Sequence, residues 1–137
     1  LIVFPTLPMN VLLVFGADHS LGRLDYASLS QQTLMEMTIE NITNRQKICK
    51  SKRHSTDISE WTGVTMNKNE EVERIEWSSD VIDVPLVGTI SLEWVPSTVM
   101  KLEVAAFTDL QGTIDLSKLP QSLNDLSLVS CGFSGGI

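Results

Sequence analysis

Cysteine, histidine and positive charge are scarce in this chain. Of 137 residues, two are cysteine, Cys49 and Cys131, and two are histidine, His19 and His54. Two cysteines make no disulfide framework, and neither lies in a CxxC pair. Both read as unpaired thiols that pack as small hydrophobes. The histidines are far apart, so no metal-ligand spacing exists, and neither a metal nor a cofactor is expected. Ten Lys and Arg against seventeen Asp and Glu leave a formal net charge of −7. That sign excludes general nucleic-acid binding, because neutralising phosphates needs a basic surface. It leaves protein partners open.

Catalytic motifs are missing too. The chain has no glycine-rich phosphate loop, HExxH or GxSxG. Asp18, His19 and Ser20 are neighbours in sequence, and adjacent residues cannot supply the spatial arrangement of a triad. The expectation is therefore a protein that is not an enzyme. Hydrophobic residues at 42% and charged residues at 20% describe a globular chain rather than a disordered one.

Long apolar runs are limited to the start. Residues 1–17 read LIVFPTLPMNVLLVFGA. Pro5 and Pro8 break the run, and it falls short of the roughly 20 apolar residues of a transmembrane helix. It reads either as a signal-peptide remnant, with Gly16 and Ala17 before a cut, or as an N-terminal tail. Leu1 at one end and Gly135-Gly136-Ile137 at the other, in mid-repeat, suggest a fragment of a longer product.

Residues 25–44 place Leu29, Leu34 and Met37 near helical spacing, after Ser28 or Ser30 as a cap. The spacing predicts a helix over 29–42, although Met35, Met37 and Ile39 also alternate as a strand would. Asn41-Ile42-Thr43 is a glycosylation sequon of a kind that also occurs by chance. Residues 45–54 hold Arg45, Lys47, Lys50, Lys52 and Arg53, half of all the cations, with no acid among them. This segment reads as a solvated loop after a helix C-terminus, or as a contact for phosphate or anionic lipid.

What the sequence has in plenty is self-similarity. GTISLEWVPSTVMKLEVAAFTDLQ from Gly88 repeats as GTIDLSKLPQSLNDLSLVSCGFSG from Gly112, an offset of 24 residues. Ile90 matches Ile114, Leu92 matches Leu116, Pro96 matches Pro120 and Val99 matches Leu123. Leu102 matches Leu126 and Val104 matches Leu128. A third copy opens at Gly135. Leu126 and Leu128 alternate, so both point to one side of a strand. A unit with two apolar edges must stack on a copy of itself. Parallel strands are thus expected over 72–77, 99–104 and 123–128, in that order.

Leu123-x-x-Leu126-x-Leu128-x-x-Cys131-x-Phe133 resembles the leucine-rich repeat family, in its plant-type and kinetoplastid-type forms. Trp61-Thr62-Gly63-Val64, followed by Val72, Ile75 and Trp77, is similar to the cap before such repeats, with Met66 where a cap cysteine would stand. The resemblance implies an α/β fold, a right-handed solenoid with a parallel concave sheet. It divides the chain into the tail or remnant at 1–17, an N-terminal helical cap at 18–71 and repeats at 72–137. It further implies a protein–protein interaction module, secreted or at the cell surface, that binds a macromolecular ligand on the concave face. The missing cap disulfide keeps a cytoplasmic location open. Membrane attachment would have to be encoded outside the fragment. A second reading makes the chain a structural capping segment of a longer array, or the sensing half of a receptor or enzyme encoded downstream.

The outward positions of the three strands form candidate binding rows. Arg74, Lys101 and Asp125 make one row, and Glu76, Glu103 and Ser127 the next. Ser78, Ala105 and Val129 make a small, partly apolar third row. Trp77 and Trp94 read as packing residues on opposite faces.

Overall fold

Ser30 sets the start of the first helix in the computed structural model, which describes residues 26–53 and 56–136. The apolar run at 1–17, the Asp18-His19-Ser20 triplet, His54 and Ile137 lie outside the described residues. Helix α1 spans Gln31–Ile39, and the Ser30 hydroxyl accepts the Thr33 backbone N–H at 3.1 Å. Such a cap satisfies one of the donors that every helix start leaves unpaired. The helix buries Leu34, Met35, Thr38 and Ile39. It is shorter than the 29–42 spacing suggests, and Met35 takes the core position in place of Met37. The reason lies downstream. The Asn41 carbonyl accepts the Thr89 N–H at 3.0 Å, and Ile42 bridges Gly88, so sheet pairing draws this backbone out of the helix. Gly88 allows the approach. Its φ is +119°, and a Cβ there would lie 2.5 Å from the Asn41 carbonyl oxygen. A short helix α2, Gln46–Cys49, follows and stops at Lys50 with φ 67°.

The strands are β1 Val64–Met66, β2 Val72–Ser78, β3 Gly88–Thr89, β4 Lys101–Ala105, β5 Leu110–Asp115, β6 Asp125–Val129 and β7 Gly132–Gly136. Four build one sheet in the order β1-β2-β4-β6, and three build a second in the order β3-β5-β7. β2, β4 and β6 run parallel as neighbours, as the repeat register predicts. Inward positions alternate. Ile75, Trp77, Leu102 and Val104 are fully buried and belong to a core cluster that also takes in Met35, Ile42, Ile90 and Leu110.

Hydroxyls stitch successive units together. Thr98 Oγ1 donates to the Val72 carbonyl at 2.6 Å, and Ser122 Oγ donates to the Val99 carbonyl at 2.7 Å. These two residues occupy the same place in the 24-residue unit. Ala106 and Ser130 are likewise equivalent, and both take positive φ in the turn that leaves the sheet.

The solenoid expectation is corrected. The described residues form a small α/β domain with a mixed four-stranded sheet, a separate three-stranded sheet and two helices. The segment read as a helical cap contributes a strand. β1 folds back on β2 antiparallel, so the larger sheet is not purely parallel. Asn67 drives that hairpin: its side-chain oxygen accepts the N–H groups of Asn69 and Glu71 at 2.8 and 3.0 Å. An Asx turn of this kind closes a tight connection with local bonds alone. The second sheet also departs from the 24-residue period. Gly88 pairs with Leu110, and Gly112 with Phe133, rather than glycine with glycine.

Candidate functional site

The outer face of the four-stranded sheet carries the candidate residues. Period-2 alternation turns Arg74 and Glu76 outward beside the buried Ile75 and Trp77. Lys101, Glu103 and Ala105 alternate in the same way with the buried Leu102 and Val104. The register pairs Arg74 with Lys101 and Lys101 with Asp125. It also pairs Glu76 with Glu103 and Glu103 with Ser127, and Ser78 with Ala105 and Ala105 with Val129. The three rows are therefore brought together as cross-strand neighbours.

Eight of the nine residues are open or half-open to solvent; Ser78 is not. It is only 7% exposed, because its carbonyl accepts the N–H groups of Val81 and Ile82 and the chain folds over the end of β2. Ala105 and the 55%-exposed Val129 carry the third row alone. Thr65 on β1 pairs with Arg74 and is exposed, which adds a member to the first row. Its place there depends on the antiparallel fold-back of a three-residue strand, which the repeat register does not encode.

Charge is shared unequally. Glu76 Oε2 takes both cations, Arg74 Nη2 at 3.1 Å and Lys101 Nζ at 3.0 Å. The hydrogen bond from Lys101, then that from Arg74, holds the Glu76 carboxyl below the ordinary glutamate range, against a smaller effect of burial. Lys101 reaches diagonally to Glu76 and leaves its cross-strand neighbour Asp125 without an ion pair among the described residues. Glu103, half-buried beside Glu76, has no ion pair there either. The site thus holds one neutralised carboxylate next to one that is not.

A pH effect follows from Glu76. Its pKa is depressed on folding, so its contribution to stability is present above the unfolded-state value. That contribution is lost as pH falls through the lower, folded-state value. Glu76 is partly solvated, so the two pairs together contribute no more than about 1 kcal/mol. Glu76→Gln is expected to be less stable than the wild type near neutrality, with the gap closing as pH drops below the glutamate range. Urea denaturation of both proteins at neutral and acidic pH checks this. A gap independent of pH would remove Glu76 from the account.

Among the described residues, no group of three or more His, Cys, Asp or Glu is placed to hold a metal ion. Cys49 and Cys131 are both free thiols. No helix among the described residues is long and apolar enough to cross a membrane. No protein family, no curated protein and no solved structure is found to match this chain.

Proposed function

We propose that the outer face of the four-stranded sheet is a protein-binding surface, with Glu103 as its principal charge contact. The observation that carries this is the unequal pairing on the face. A half-buried carboxylate gains from a cation nearby, yet both available cations go to Glu76. A basic side chain on a partner would complete the arrangement, and Ala105 and the exposed Val129 supply an apolar contact beside it. Rigid strands suit the task, since they hold the rows in fixed spacing. The resemblance of Leu123 to Phe133 to leucine-rich repeats supports an interaction role, and catalysis is no part of the proposal. A secreted or cell-surface setting goes with it, as Asn41 and Thr43 of the sequon are both exposed.

The test compares the wild type with Glu103→Lys and with Glu93→Lys, a charge reversal at an exposed residue of a 3-10 turn off this sheet. Each protein is immobilised, and bound proteins from its source cells are quantified at low and moderate salt. Proteins retained by the wild type and by Glu93→Lys should be lost with Glu103→Lys, and their capture should weaken with salt. Identical retention by all three proteins would move the site off this face.

A further inference from the structure

We infer that the cleft between α1 and the Arg45–Arg53 segment is a binding site for a single phosphate or sulfate group on a small ester. Its volume is about 390 Å³, and Arg45, Lys52 and Arg53 line it together with Thr33, Met37 and Glu36. In an acidic chain, cations are expected to find carboxylates. These do not: among the described residues Arg45, Lys52 and Arg53 make no ion pair, and only Lys47 of this segment does, with Asp83 at 3.9 Å. Three cations against two carboxylates, Glu36 and Glu40, leave the cleft an excess of positive charge that a bound oxyanion offsets.

The cations sit on an anchored backbone. Ile48 and Cys49 are buried in the core. The Lys50 N–H donates to the Gln46 carbonyl at 2.8 Å, and Thr56 Oγ1 donates to the Cys49 carbonyl at 2.9 Å. The Arg53 N–H donates to Ser51 Oγ at 3.3 Å. Arg45 Nη1 donates to the Glu40 carbonyl at 3.3 Å, which orients the guanidinium and leaves its other donors for a ligand. Ordering the loop beforehand lowers the entropy cost of binding. Guanidinium groups and an ammonium match the oxygens of a tetrahedral anion. Glu36 and Glu40, also in the wall, disfavour a long polyanion and select one compact anionic group. Met37 offers an apolar contact to the organic part of the ester.

The experiment titrates inorganic phosphate, and separately sulfate, into the full chain at constant ionic strength set with chloride, and follows backbone amide shifts by NMR. Saturable shifts confined to Thr33, Arg45 and Ser51 to Arg53 are expected with one or both anions. Whichever anion binds more tightly names the ester. Arg45→Gln with Arg53→Gln should weaken binding at least about tenfold, the loss of charge-assisted bonds. Lys118→Gln, a cation outside the cleft, should bind as the wild type does. Amide spectra of the variants report folding directly. Shifts that never saturate, that chloride reproduces, or that survive the double substitution in a folded protein would overturn the assignment.

Discussion

Trp77→Ala is expected to destabilise the domain by about 3–5 kcal/mol, the usual cost of emptying a large buried aromatic site. Trp77 is fully buried near the end of β2, where it pairs with the equally buried Val104 of β4. Its ring fills space that cannot collapse easily. On one side Gly63, at φ +77°, comes so close that a Cβ there would stand 2.7 Å from the indole. The indole N–H also donates to the Thr62 carbonyl at 2.7 Å. Removing the ring leaves a cavity and deprives the part-buried Thr62 carbonyl of this donor, and both effects act in the same direction. Trp77→Phe restores most of the volume without the hydrogen bond, so it should cost clearly less. Guanidinium denaturation measures both. A loss below about 1.5 kcal/mol for the alanine variant, in the range of minor repacking, would mean that Trp77 does not hold this part of the core.

Leu102→Ala should cost about 2–5 kcal/mol, while Leu126→Ala should cost less than about 1.5 kcal/mol. The repeat makes these residues equivalent, and the register pairs them directly. Their surroundings differ. Leu102 is fully buried between β2 and β6, whereas Leu126 on the outermost strand is 38% exposed. Periodicity alone assigns both the same core role. What a side chain loses on truncation depends on the area it had removed from water, and Leu126 has a neighbouring strand on one side only. Ser127→Ala, on the outward face, should change stability by under about 0.5 kcal/mol. Parallel urea titrations of the three variants decide the matter. Equal losses for Leu102→Ala and Leu126→Ala would contradict the burial difference.

The sequence revealed the parts of the fold that repeat and concealed the parts that do not. Alternation at Ile75 and Trp77, Leu102 and Val104, and Leu126 and Leu128 is a local, period-2 signal, and it placed three strands and their outward rows in register. β1 has no such signal. Three residues, Val64 to Met66, become a strand because Asn67 closes a turn onto β2, and that pairing makes the sheet mixed where repetition alone suggested a parallel one. Helix α1 offered Ser28 or Ser30 as its cap, of which Ser30 serves, but its end was set by a distant partner, Gly88, which spacing within the helix cannot disclose. Between β5 and β7 the register shifts because β7 begins sooner after Ser130 than β5 does after Ala106.

Candidate residues followed the same division. The rows were legible, since they need only strand register. The burial of Ser78 was not, because it depends on the turn that brings Val81 and Ile82 back to its carbonyl. Nor was the convergence of Arg74 and Lys101 on Glu76 in preference to Glu103, which depends on side-chain reach across the face rather than on position in the unit.

The central claim is the cross-strand register that brings the outward rows together, and interstrand NOEs measure it most directly. A spectrum of the isotope-labelled chain should show backbone contacts linking Glu76 with Glu103 and Glu103 with Ser127, in the parallel pattern. Contacts linking Thr65 with Arg74 should follow the antiparallel one. Contacts that pair Glu103 with Leu126 or Leu128 instead would shift β6 by one residue and turn its outward row into the core. That result would contradict both the fold and the binding face drawn from it.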